Sequence, residues 1–173
     1  MRAKRSGDGK AEDWTAASVE AVAVGLLARR EHSRAELSAK LAQRGFEQAE
    51  IGKALDRLQA TDALNEARFA EQYVRLRLRQ GYGPARIRAD LAARGVDAAT
   101  VETELSGAED DDARWLARAE AARRRRFGGA VPGDYEERAR QARFLERRGY
   151  PAAHIARVLR GEASDLEDNG QEY

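Results

Sequence analysis

The chain of 173 residues has no cysteine, three prolines and one methionine, and only 6% of it is aromatic. Without cysteine there can be no disulfide framework, no thiolate nucleophile and no cysteine-ligated metal, which fits a reducing compartment. Scarce proline leaves few obligatory helix breaks, and scarce aromatics exclude a large aromatic core. No stretch approaches the roughly 20 apolar residues that a bilayer crossing needs. The first residues, with Arg2, Lys4, Arg5 and Lys10 among Asp8, Glu12 and Asp13, read as neither signal peptide nor anchor. A soluble cytoplasmic chain without membrane association is expected. An excess of charge of one sign is also missing, because 31 Lys and Arg face 30 Asp and Glu for a net charge of +1. Attraction to an anionic partner must therefore come from local segregation of charge.

What is abundant is Ala, Leu, Arg and Glu, the strongest helix formers. Apolar residues recur at helical spacing, as in Leu37 and Leu41 or Phe69, Tyr73 and Leu76, and no strand-like alternation persists. The fold expected is all-α. Breaks fall at 59–63, 80–83, 106–110, 127–133 and after Gly161.

The pieces between those breaks repeat. Leu41-Ala42-Gln43-Arg44-Gly45-Phe46, followed by Ile51 and Leu55, matches Leu91-Ala92-Ala93-Arg94-Gly95-Val96 with Val101 and Leu105. Leu145-Glu146-Arg147-Arg148-Gly149-Tyr150, with Ile155 and Leu159, keeps the same offsets, and the three glycines stand 50 and then 54 residues apart. A physical reason lies in helix capping. If Gly45, Gly95 and Gly149 each take a left-handed conformation past a helix end, Leu41 should meet Phe46, Leu91 meet Val96 and Leu145 meet Tyr150. The same residue should then staple onto the next helix, pairing Phe46 with Ile51, Val96 with Val101 and Tyr150 with Ile155. Asp97 suits the N-cap there, Glu47 suits it less well, and Pro151 suits the first helical position better. The preceding helices open on Ser33 with Glu36, on Gly83-Pro84, and on Asp134 with Glu137. Upstream of each lies a further helix, near 16–30, 65–79 and 111–126.

Three tandem three-helix repeats forming an elongated, curved array are the consequence. The division expected is a poorly ordered segment at 1–15, repeats at 16–60, 61–106 and 107–161, and an acidic tail at 162–173. The Gly-rich stretch 127–133 reads as a flexible connection inside the third repeat.

No phosphate-cradling glycine loop or zinc-binding His-Glu motif occurs, so neither a catalytic residue, a cofactor nor a metal site is expected. His32 and His154 read as ordinary surface or boundary residues. The run Glu109-Asp110-Asp111-Asp112 complements a helix start. Basic residues are more informative. Arg68, Arg75 and Arg79 share a helical stripe with Gln72, and Arg86 and Arg88 follow on the next helix. Between 112 and 148 eleven arginines face six acids, including the uninterrupted block Arg123, Arg124, Arg125 and Arg126, whereas beyond 150 acids dominate. These nine arginines are the candidate contacts to an anionic partner. Each Gly-centred helix pair also resembles a helix-turn-helix, although Lys53 and Arg57 on the would-be reading helix are offset by Glu50 and Asp56.

The string Ser33-Arg34-Ala35-Glu36-Leu37, Lys40-Leu41, Gly45-Phe46, Ala67-Arg68-Phe69-Ala70, Gly81-Tyr82-Gly83-Pro84, Ile87, Leu91 and Arg94-Gly95-Val96 resembles the RecX family of bacterial recombinase regulators. Phe144-Leu145-Glu146-Arg147-Arg148-Gly149-Tyr150 is similar to that family's third-repeat motif. Ahead of Phe69-Ala70, where relatives often carry paired acids, this chain has Asn65-Glu66. The resemblance implies an all-helical protein of three three-helix repeats that binds the RecA nucleoprotein filament within its helical groove and restrains its recombinase, ATPase and coprotease activities; a monomer is expected. The competing expectation is a helical module that binds single- or double-stranded DNA through backbone contacts without RecA.

Overall fold

The computed structural model describes residues 16–108 and 112–162. The expectations for 1–15, for the acids at 109–111 and for the tail beyond 162 lie outside the described residues. Among the described residues there are nine helices and no strand: α1 Ala16–Leu27, α2 Arg34–Ala42, α3 Gln48–Ala60, α4 Glu66–Arg79, α5 Pro84–Ala92, α6 Ala98–Ala108, α7 Asp112–Phe127, α8 Tyr135–Arg147 and α9 Ala152–Leu159. They divide into two compact units, one ending at Phe69 and the other beginning at Ala70.

In the first unit α3 packs against both α1 and α2. Its core joins Val19, Ala23 and Leu26 of α1, Leu37 and Leu41 of α2, and Ile51, Ala54, Leu55 and Leu58 of α3. Residues three or four apart on a helix share a face, so each helix delivers a single apolar stripe to that core. None of the three is long enough to persist alone in water, and burial of each large aliphatic side chain supplies about 1.5–3 kcal/mol. The second unit repeats the plan twice. Val74 and Leu78 of α4, Ile87 and Leu91 of α5, and Val101 and Leu105 of α6 are buried. Leu116, Ala119 and Ala122 of α7, Leu145 of α8, and Tyr150, Ile155, Val158 and Leu159 of α9 form the other cluster.

The helix ends follow from local chemistry. Gly45, Gly95 and Gly149 have φ of 87°, 77° and 85°. The amides of Phe46, Val96 and Tyr150 return to the carbonyls of Leu41, Leu91 and Leu145 at 3.4, 3.2 and 3.2 Å. Those bonds satisfy carbonyls that a helix terminus leaves without intrahelical partners. Gly81 and Gly161 end α4 and α9 the same way, with Tyr82 N–H on the Arg77 carbonyl and Glu162 N–H on the Arg157 carbonyl, 3.0 and 3.1 Å. Ser33 Oγ accepts from Glu36 N–H at 3.1 Å, Asp97 from Thr100 N–H at 2.9 Å, and Asp134 from Glu137 N–H at 2.7 Å.

Four details depart from the sequence expectations. Leu76 does not extend the apolar stripe of α4 and is 42% exposed; Phe69, Ala70, Val74 and Leu78 are the buried residues, a stripe rotated away from Leu76. Pro151 occupies the N-cap of α9, with ψ of 146°, rather than its first helical position. His32 and His154 are both buried; His154 Nε2 lies 2.6 Å from Asp112 Oδ1, and His32 Nδ1 lies 3.3 Å from Glu36 Oε2. The connection 127–133 is not a loose tether. Arg123 reaches back from α7 to hold the carbonyls of Gly129 and Ala130 at 3.2 and 2.8 Å, and Pro132 is buried.

Within the second unit the middle and last helix triads meet backbone to backbone. Gly83 N–H donates to the Arg148 carbonyl at 2.7 Å and Ala85 N–H to the Gly149 carbonyl at 3.1 Å. The N-terminus of α5 thus supplies donors, free at any helix start, to the carboxyl end of α8, whose last carbonyls lack intrahelical partners. So close an approach needs glycine on both sides. A Cβ on Gly83 would lie 2.5 Å from the Gly149 carbonyl oxygen, and one on Gly149 would fall on the backbone nitrogen of Arg86 and 2.6 Å from its Cβ.

Candidate interaction surface

The nine candidate arginines do not share one environment. Arg68 braces the turn between α3 and α4: its Nε donates to Glu31 at 2.8 Å, Nη1 to Asp62 at 2.7 Å, and Nη2 to the Asp62 carbonyl at 2.9 Å. That turn places Asp62 at φ 57°, the one non-glycine residue of positive φ among those described. Asn65 caps α4, its Oδ1 accepting from Arg68 N–H at 2.9 Å. The bond to Glu31 holds the Arg68 guanidinium above its ordinary pKa, and Asn65 in turn keeps the Asp62 carboxyl below its own. Arg68 is therefore a fastening of the fold more than an open contact.

Arg75, Arg86 and Arg88 are exposed and paired. Arg75 meets Glu71 at 2.6 Å, Arg86 meets Asp90 at 3.0 Å, and Arg88 takes Glu102 in a fork of 2.6 and 2.9 Å. The Arg88 hydrogen bonds hold the Glu102 carboxyl below its usual range. Exposed pairs of this kind are worth only about 0.2–1 kcal/mol, so an incoming anion can take over the guanidinium at small cost. Arg79 is exposed and has no carboxylate partner among the described residues.

The block 123–126 splits, and here the sequence expectation needs correction. Arg123 is 1% exposed and cannot touch a partner as it stands. On a helix, four consecutive residues point around the whole circumference, and this one points inward. Its Nε and Nη2 clasp Glu120 at 2.8 and 2.7 Å, and its Nη1 reaches Gln141 at 3.3 Å. Arg124 adds a bond of 2.6 Å to the same Glu120. Burial alone would raise the Glu120 carboxyl; the two arginines outweigh it and hold the pKa down. Only Arg125 and Arg126 of the four remain exposed without a carboxylate among the described residues.

A second basic feature was not singled out from the sequence. Guanidinium and aromatic groups alternate through the second unit. Arg94 lies over Tyr73, Arg77 lies between Tyr73 and Tyr82, and Arg148 lies between Tyr82 and Phe144, with separations of 4.6 to 5.1 Å. Phe144 meets Phe127 edge-on at 5.2 Å, and Arg126 and Arg140 lie over Phe127 at 5.7 and 5.5 Å. Such contacts are worth about 0.5–1 kcal/mol each where exposed and more when desolvated. Asp90 anchors one end, accepting from Tyr73 Oη and ion-paired with Arg77 Nη2, both at 3.0 Å. Arg148 anchors the other, its Nη1 on the carbonyls of Gln80 and Gly81 at 2.5 and 3.0 Å. Tyr73 and Arg77 at four-residue spacing were a readable signal; the partners of Arg148, 67 and 68 residues away, were not.

A tandem array of three-helix domains carrying arginines on its surface is the class of protein that these observations define. Family models for the first, second and third three-helix domains of RecX match residues 21–58, 65–105 and 112–159. The chain belongs to the RecX family. It is 45% identical over 151 residues to the regulatory protein RecX of Pseudomonas syringae pv. tomato, covering 87% of this chain and 96% of the relative. To the regulatory protein RecX of Halorhodospira halophila it is 44% identical over 153 residues, 88% of this chain and 92% of the other. The crystal structure of RecX from Lactobacillus salivarius superposes with a TM-score of 0.67 at 19% identity, over 84% of this chain and 94% of that one, which shows a common fold. No described helix is long and apolar enough to cross a membrane.

Proposed function

We propose that this chain binds the RecA nucleoprotein filament and inhibits its recombinase, ATPase and coprotease activities. It acts in the cytoplasm, as a monomeric regulator of recombination, DNA repair and the SOS response, by occupying a surface and not by making or breaking bonds. The observation that carries this reading is the ordered match of all three RecX domains along the chain, to relatives named regulatory proteins. The surface chemistry supports it. Arg75, Arg79, Arg86, Arg88, Arg125 and Arg126 are exposed, and a filament of protein and nucleic acid offers repeating acidic groups. Several modest contacts made by linked domains reinforce one another, because each later contact forms at the high effective concentration that the first creates.

The test is RecA ATPase and strand exchange at substoichiometric purified chain, alongside its affinity for bare DNA. Inhibition with only weak, salt-sensitive binding to bare DNA is expected. Absence of inhibition together with tight binding to bare DNA would replace this reading with a DNA-binding module that acts alone.

A further inference from the structure

The second unit contains a cleft of about 210 Å³ lined by Gln80, Ala122, Arg125, Arg126, Phe144 and Arg148. Three guanidinium groups line it and no carboxylate does. Elsewhere on the unit Arg75, Arg86 and Arg88 each have an acid within 3.0 Å. Part of the charge has an internal use. Arg125 Nη1 donates to the Arg79 carbonyl at 3.4 Å, and Arg148 Nη1 to the carbonyls of Gln80 and Gly81, so both cap the carboxyl end of α4. Capping engages one nitrogen of each group. A guanidinium carries five N–H donors in a fixed fork, and Nε and Nη2 of Arg125 and Arg148 have no protein acceptor among the described residues. Arg126 caps nothing; it rests on the Phe127 ring at 5.7 Å.

The wall of the cleft strengthens its charge. Phe144 supplies an apolar face with the Arg148 guanidinium 4.6 Å from the ring centre, and a poorly solvated wall weakens dielectric screening of an anion bound against it. Positive charge also continues beyond the cleft. Arg140 shares the Phe127 ring with Arg126, 5.5 Å from its centre, and is 63% exposed, with Glu137 no nearer than 3.7 Å. The result is a line of guanidinium forks, drawn from α7 and α8 and threaded on aromatic rings.

We infer that this cleft is a phosphate-binding site for the backbone of a nucleic-acid strand, Arg125, Arg126 and Arg148 taking a phosphodiester and Arg140 extending the track. Planar forks match phosphate oxygens in a bidentate way, and a line of them suits a ligand whose charges recur along its length. The inference goes beyond the filament reading and does not depend on RecA.

The probe is a short oligothymidylate, its binding to the full chain measured from low to moderate salt. Two double variants remove equal charge: Arg125→Ala with Arg126→Ala in the cleft, and Arg29→Ala with Arg44→Ala, exposed residues of the first unit that are not among the candidate contacts. Each phosphate contact on a single strand contributes about 0.7 to the slope of log K against log salt. The cleft variant is expected to bind more weakly with a slope shallower by about 1.4, two such contacts, and the control variant to keep the parent slope. Arg126→Gln alone, which leaves every backbone cap in place, should lose about 0.7 and serves if the double variant fails to fold. Equal losses in the two double variants, or an unchanged slope in the cleft variant, would overturn the site. So would displacement of the strand by polyglutamate at the same charge concentration as unlabelled strand, since the cleft would then be a carboxylate site. Loss of RecA inhibition in the parent protein, with the slopes as expected, would remove the proposed function and leave this site standing.

Discussion

Equivalent glycines at the three helix ends should respond unequally to the same substitution. Gly45→Ala and Gly149→Ala both place a Cβ on a backbone of positive φ, 87° and 85°. That conformation costs an L-residue about 1–2 kcal/mol relative to glycine. At Gly45 nothing lies within 4 Å of the added Cβ, so the conformational cost is the whole effect. At Gly149 the Cβ would lie 2.6 Å from the Cβ and 2.9 Å from the Cα of Arg86, which can yield only if the start of α5 moves. Forced overpacking adds about 1–3 kcal/mol. The hydrogen bonds from Gly83 and Ala85 to the carbonyls of Arg148 and Gly149 lengthen as the helix ends separate, at about 1 kcal/mol for each bond lost. Gly149→Ala is thus expected to destabilise by about 3 kcal/mol or more and Gly45→Ala by about 1 kcal/mol. Chemical denaturation reports the difference, and amide exchange should show peptides around 83–86 losing protection in the first variant only. Equal destabilisation by both substitutions would refute the argument from close approach, because only the shared φ cost would then remain.

Gly95→Ala, also at positive φ, should cost about 1 kcal/mol, and an unchanged denaturation midpoint would contradict the capping argument. Arg123→Ala leaves Glu120 buried with Arg124 alone and releases the carbonyls of Gly129 and Ala130; a loss of about 3 kcal/mol is expected, with proteolytic sensitivity appearing at 127–133. Resistance equal to the parent's would show that the clasp does not hold that connection. His32 should make the first unit acid-sensitive. Burial first, and then the Arg30 and Lys40 charges, lower its pKa from 6.5 against the opposing Glu36. The unfolded chain therefore binds the proton more readily, so the stabilisation is present above the unfolded pKa and is lost as pH falls through the folded one. Denaturation at about pH 7.5 and 5.5 should show a larger acid loss in the parent than in His32→Asn; identical losses would dissociate His32 from the effect.

Local rules made the helical plan legible. The glycine spacing, the caps at Ser33, Asp97 and Asp134, and the leucine pairs of each repeat are decided within about one helical turn, where sequence and geometry are nearly the same information. Gly81 and Gly161 end helices in the same manner. They stand outside the repeated pattern: Gly81 follows Gln80 where the three copies have Arg, and Gly161, which follows Arg160, is succeeded by Glu162 and not by the apolar residue of those copies.

Charge was legible as a regional excess and not as a surface. The run Arg123 to Arg126 looks uniform on the page, but 100° of rotation per residue sends one member into the core and leaves others outside. Which one turns inward depends on Glu120 at three residues' distance and on Gln141 from another helix, and only the first of those is a local relation. The three Arg-Gly steps make the same point. Arg44 binds its own helix through the Lys40 carbonyl, Arg94 does so through the Asp90 carbonyl while lying over Tyr73, and Arg148 crosses to Gln80 and Gly81. Duplication supplied one geometry three times. Once a glycine cap had fixed where each helix stops, the preceding arginine could be redirected without disturbing the fold, and the third copy turned that freedom into a joint between domains and one wall of an anion-seeking cleft.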